Sequence, residues 1–185
     1  PALLPVLNAA MLTAARLIPR GQGLAPALLD RSAWISLDWD QRQKSRFDCD
    51  DSHGRRVGVF LAPGTVLRGG DVLLTEDGAL LRVQAAAQPV LRVTPCPEHG
   101  TPLDLLRAAY HLGNRHVPLE VQADHLKLEP DPVLADMLRQ MHLIVTKTRE
   151  PFEPEAGAYA AHSHGHRHGH SHEHTHGHPH NLPPP

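Results

Sequence analysis

Thr101-Pro102-Leu103-Asp104-Leu105-Leu106-Arg107-Ala108-Ala109-Tyr110-His111-Leu112-Gly113 is the stretch on which the fold turns. A threonine that can cap, a proline in the first helical position and an acid at the third announce a helix start. Leu105, Ala109 and Leu112 recur at helical spacing, and Gly113 is placed to end the helix as a left-handed cap. Ahead of this helix, Val90 to Val93 reads as a strand; behind it, Val117 to Val121 and about Leu126 to Leu128 read as two short ones. Asp131-Pro132 repeats the cap-plus-proline device, and Val133, Leu134, Met137, Leu138 and Met141 form the apolar stripe of a second helix before a last strand, Leu143 to Thr146. The methionines lie among leucines at helical spacing, so they are core residues rather than thioether ligands.

The resulting order, β-α-β-β-α-β, is that of the ferredoxin-like split unit. Upstream, from Leu12 to about Gln84, the signals are short, alternating and broken by turns. Ile35, Leu37 and Trp39 alternate with Ser36, Asp38 and Asp40 as a half-buried strand, and the turn formers Cys49 to Gly54 precede Val57 to Leu61 as in a hairpin. Gly69-Gly70-Asp71 and Asp77-Gly78 set off two further apolar runs, Val72 to Leu74 and Leu80 to Val83. The expected class is therefore α+β: a small all-β domain over residues 11–85, a ferredoxin-like domain over 89–150 and a disordered tail over 160–185.

That tail holds ten of the sixteen histidines: His162, His164, His166, His168, His170, His172, His174, His176, His178 and His180 alternate with Ser, Gly, Arg, Glu, Thr and Pro. With no apolar residue to bury, the segment is expected to stay disordered. Imidazole suits Ni, Zn and Cu, and a mobile string of rings binds such ions multivalently and exchanges them readily. An expression tag is usually uninterrupted or regularly spaced, whereas these spacers vary; a solubilising low-complexity tail with no metal role is the other bland reading. Such chemistry fits holding and passing on metal better than catalysis.

The formal charge of −2, with basic residues scattered among slightly more carboxylates, gives no case for nucleic acid. Two distant cysteines, Cys49 and Cys96, form no C-x-x-C and argue for a reducing compartment. No stretch approaches the roughly twenty apolar residues that span a bilayer, so no membrane role and a cytoplasmic location are expected. Pro1 to Ile18 is apolar but lacks a basic leader, and Met11 is one candidate for the start. There is no ordered H-x-x-E-H or H-E-x-x-H, no nucleophile motif and no Gly-rich phosphate loop, so no enzyme is expected.

Outside the tail, His111 and His116 stand five apart, which is no ligand spacing on one helix. His53 falls in a turn, His125 and His142 stand alone, and Cys96-Pro97-Glu98-His99 offers two ligand types without a second pair. The residue strings say more. Y-H-L-G-N-R-H-V-P-L from Tyr110, V-L-A-D-M-L-R-Q-M from Val133 and P-F-E-P-E-A-G-A-Y from Pro151, followed by a histidine-rich tail, closely resemble the urease accessory metallochaperone family UreE. The likeness runs from about Leu12 to Tyr159 and is strongest after Pro89.

The resemblance implies a peptide-binding-like β domain, a ferredoxin-like domain that dimerises, and delivery of nickel to apo-urease together with other accessory proteins, including a GTPase. It also implies that the histidine of G-N-R-H, here His116, ligates nickel from both subunits at the dimer axis, where symmetry doubles it. Some members carry H-x-H just before the second helix; Glu129-Pro130-Asp131-Pro132 stands there instead, so those peripheral sites are expected to be missing. A general nickel or zinc buffer without a client is the alternative reading, separated from delivery by whether the protein captures the accessory GTPase.

Overall fold

The structure, a computed structural model, describes residues 11–156; the ten tail histidines and the segment before Met11 lie outside the described residues. The first half is built on six strands: β1 (Leu12–Ile18), β2 (Ala33–Leu37), β3 (Arg46–Asp50), β4 (Arg56–Phe60), β5 (Val72–Thr75) and β6 (Leu80–Ala85). Two short helices, α1 (Pro26–Arg31) and α2 (Trp39–Arg42), interrupt them. The sheet order is β2-β6-β5-β1-β4-β3, with β1 parallel to β4 and β2 parallel to β6. At its two ends the sheet curls back on itself: Ser52, in the β3–β4 turn, donates its N–H to the Trp34 carbonyl at 2.8 Å, and its hydroxyl accepts from the Trp34 N–H at 3.2 Å. Ala14, Ile35, Leu37, Val57, Val59, Leu67, Leu73 and Leu81 fill the space enclosed, all without solvent exposure.

Two readings of this half need correction. It is strand-rich but not all-β, and the strand expected to run through Trp39 stops at Leu37. Asp38 accepts the N–H of Gln41 at 2.8 Å and starts α2, because a local cap outcompetes continued alternation once the sheet has no partner to offer. Trp39, 6 % exposed, turns away from the first core and meets Phe152 edge-on at 6.2 Å beside Val90.

The second half follows with one residue, Ala86, between strands: β7 (Ala87–Pro95), α3 (Pro102–Gly113), β8 (Glu120–Val121), β9 (Leu126–Leu128), α4 (Pro132–Gln140) and β10 (Leu143–Pro151). Strand order is β10-β7-β9-β8, every neighbouring pair antiparallel, and β7 and β10 are matched over nine rungs from Leu143–Pro95 to Pro151–Ala87. Both helices lie over one sheet face, where Leu105, Ala108, Leu112, Ala135 and Leu138 meet Leu91, Val93, Leu126 and Leu128. The strand expected from Val117 shrinks to Glu120–Val121, since Pro118 has no N–H for the ladder and Val117 is occupied in the helix end described below.

The halves are joined by a buried cation. Arg42, fully enclosed, places Nη1 2.9 Å from Glu153 Oε1, donates Nε to the Leu37 carbonyl and Nη2 to that of Phe152, and lies over the Trp39 ring. Glu153 also accepts the Gly69 N–H at 2.8 Å; a side chain at Gly69 would collide with that carboxylate.

Candidate metal centre

The start of α3 is built as its sequence suggests. Asp104 Oδ2 accepts the Thr101 N–H at 2.8 Å, and the box holds that carboxyl below its ordinary range, chiefly through this backbone bond and then the Thr101 hydroxyl. The end of α3 is not as expected. Gly113 remains helical, and the residue in the left-handed region is His116, with φ +57°. Val117 donates its N–H to the Leu112 carbonyl at 3.2 Å and His116 donates to that of Gly113 at 2.9 Å. These are the two bonds of a Schellman end with His116 at the position glycine usually holds, and Val117 and Leu112 make the accompanying apolar contact in the second core. Burial of that pair decides where the left-handed turn falls; the glycine three residues earlier does not supply it.

His116 is thereby fixed in space while its side chain is exposed. It stands past the C-terminal end of a twelve-residue helix, where the partial negative charge of the last carbonyls favours a nearby cation by roughly 0.3–1 kcal/mol. His111 is exposed one turn back, its ring edge-on to Tyr110 at 5.4 Å, and its carbonyl accepts from Arg115 Nη1 at 3.1 Å. On the same helix Leu103, Leu106 and Tyr110, spaced three and four apart, are 50 %, 64 % and 67 % exposed, an apolar stripe with no partner among the described residues.

Among the described residues no group of three or more His, Cys, Asp or Glu side chains is placed to hold a metal ion. His125 is buried and committed, its Nδ1 2.7 Å from Asp124 and both ring nitrogens within 3.3 Å of the Arg92 guanidinium. Where H-x-H is lacking, Asp131 serves a helix instead, its Oδ1 accepting the Leu134 N–H at 2.9 Å. Cys96 and His99, which the sequence offers as two ligand types without a second pair, line one cavity with His142. What brings them to one cavity is the antiparallel match of β7 with β10, which no local sequence signal carries.

Comparison with known proteins agrees with this layout. The UreE urease accessory protein N-terminal domain matches residues 14–86, and the C-terminal domain of the same family matches residues 88–180. The chain is 68 % identical over 154 residues to the urease accessory protein UreE of Albidiferax ferrireducens, covering 83 % of this chain and 88 % of the relative. To the proteins of the same name from Paracidovorax citrulli and Verminephrobacter eiseniae it is 67 % and 65 % identical, covering 73 % and 92 % of those chains and 83 % and 84 % of this one. With both halves matched in order, each to one of the sheets described above, the chain belongs to the UreE urease accessory protein family.

Proposed function

We propose that this chain is a nickel-binding metallochaperone that hands Ni to apo-urease during assembly of the urease metal centre. It acts without catalysis of its own, as a cytoplasmic homodimer in contact with urease and its accessory proteins, the GTPase among them. The observation that carries this reading is His116, exposed and locked in a left-handed helix end beside an unpartnered apolar stripe. A second copy packed on Leu103, Leu106 and Tyr110 about a two-fold axis brings two such histidines together, which a single chain does not do. Two imidazoles leave most of nickel's coordination positions open, so cargo can leave by exchange.

The β-α-β-β-α-β order with its 4-1-3-2 antiparallel arrangement supports a ferredoxin-like reading of residues 89–150 as the metal-binding and dimerising domain. Residues 11–85 form the β-rich, peptide-binding-like domain, and His162 to His180 act as a reservoir that also takes Zn or Cu. No helix among the described residues is long and apolar enough to cross a membrane.

The test separates site from reservoir. Deleting residues 161–185 is expected to remove most bound nickel, leave fold and dimer intact, and lower urease activation only when nickel is scarce. Removing the His116 imidazole is expected to spare most of the nickel load yet abolish activation. A client-free buffer would instead show no capture of the accessory GTPase and no dependence of urease activation on His116.

A further inference from the structure

Resting on the nickel reading of His116, we infer that Glu153 is a positioning residue for that histidine, acting through a strap, Phe152 to Glu155, that lies across both halves. Phe152 and Pro154 are buried, Phe152 against Trp39 of the first half and Val90 of the second. On the first half, Arg42 donates to the Phe152 carbonyl and meets the Glu153 carboxylate at 2.9 Å, the Gly69 N–H donates to that carboxylate at 2.8 Å, and Arg68 donates to the Pro154 carbonyl. On the second half, the Glu153 N–H donates to Glu120 Oε2 at 2.7 Å and the Glu155 N–H to the Leu119 carbonyl at 2.8 Å. Lys127, itself buried, holds Glu120 from below at 2.9 Å. The side chain of Glu153 is therefore tied to one half and its N–H to the other.

Leu119 and Glu120, where the strap takes hold, follow His116 after only Val117 and Pro118. That linker is stiff. Proline fixes its own φ and confines the residue before it to extended backbone, so little of a displacement at Leu119 is absorbed before it reaches His116. On the other side, the Val117 N–H ties the same segment to the Leu112 carbonyl of α3. A residue other than glycine stays at φ +57° only while its surroundings over-determine it. The helix end is one such constraint and the strap is the second. With the strap loosened, His116 is held from one side alone and relaxes out of the left-handed region, which carries its imidazole away from the end of α3.

Gly69 gives access to the strap from the far side. Its φ lies outside the left-handed region, so alanine brings no backbone strain there. A Cβ would stand 2.8 Å from Glu153 Oε1, and the carboxylate, at the end of a flexible side chain, is the group that gives way. Gly69→Ala therefore disturbs the clasp without altering any residue of the second half. At the opposite end, Glu155→Pro withdraws the N–H that the Leu119 carbonyl accepts and leaves Arg42 and Glu153 paired.

The test uses the full-length protein, with Ni2+ as the probe and His116 followed by NMR. In the unaltered chain, native-state hydrogen exchange is expected to show the amides of His116, Val117, Glu153 and Glu155 opening as one unit, a readout that needs no variant to fold. Gly69→Ala and Glu155→Pro are each expected to move the His116 carbon shifts away from left-handed values and to weaken nickel at the His116 ring roughly tenfold. Resonances of Leu105, Leu126 and Leu138 in the second core should stay in place, which a general loss of stability would not allow. Separate opening of strap and loop, or His116 shifts or nickel half-saturation unchanged in both variants, would overturn the role of Glu153. Failure of the nickel reading looks different: the His116 ring of the unaltered chain would not respond to Ni2+ even with strap and loop opening together, and the role given to Glu153 would fall with it.

Discussion

A histidine in the left-handed region costs about 1–2 kcal/mol that glycine would not. The second half of this chain places one at the end of each helix, His116 and His142. At His116 the cost is readable as a trade of stability for an imidazole in a fixed place. His116→Gly is therefore expected to raise the melting temperature by roughly 2–4 °C while removing the proposed interface ligand and urease activation, so that loss of function cannot be ascribed to unfolding. A lowered melting temperature by calorimetry would mean that the ring, not the backbone, stabilises this corner. Cysteines divide by surroundings in the same way. Cys49 is buried, and burial first, then the neighbouring Asp50, pushes its thiol up to about 11. At pH 8 the native protein should show one fast-reacting thiol, Cys96, and a second only on denaturation.

Helix starts were legible because their signals act within four residues: Thr101, Pro102 and Asp104 for α3, Asp131 and Pro132 for α4. Helix ends and strand limits were not, because they depend on distant packing. Leu112 with Val117 moved the left-handed residue after α3 from Gly113 to His116, and Phe152 and Gln88, far along the chain, drew Trp39 out of its strand. Candidate site residues follow the same rule: His116 is singled out by a continuous motif, whereas Cys96 and His142 share a cavity only through the register of β7 with β10. Asp131→Ala, which removes the cap bond to Leu134, is expected to cost about 1 kcal/mol in a urea titration. On α3 the apolar stripe makes a separate prediction. Leu106→Glu is expected to yield monomers by sedimentation with circular dichroism unchanged; a surviving dimer would place the interface on another face.

For the whole molecule, Arg42 and Glu153 hold two separate cores together. Glu153→Gln leaves the enclosed guanidinium short of its counter-charge and, since the carboxylate itself is 33 % exposed, is expected to cost about 1–3 kcal/mol by denaturant titration. Acid should act in two stages. Burial would raise Asp51 and Glu150, but the bonds from Arg55 and His53 to the first, and from Thr148 and Lys127 to the second, outweigh it and hold both below the usual carboxylate range. Groups depressed on folding stabilise above their unfolded values of about 4 and lose that contribution only as pH falls through the lower folded values. Imidazoles cease to ligate around pH 6.5. Nickel is therefore expected to leave between about pH 7.5 and 5.5, followed by dialysis, with the circular dichroism spectrum still native; metal retained at pH 5 would exclude histidine ligation.

The nine rungs between β7 and β10 also govern the order of events in time. The strand that opens the second half pairs with the one that closes it, roughly fifty to sixty residues later, so this contact has a high loop-closure cost and should form late. Until it does, one edge of β7 carries unpaired N–H and C=O groups along Ala87–Pro95, with Val90, Leu91 and Val93 on the same strand: a template on which another unfinished chain can add. Refolding yield should consequently fall with protein concentration even where stability is high, because the hazard lies in the interval before β10 docks rather than in the finished fold.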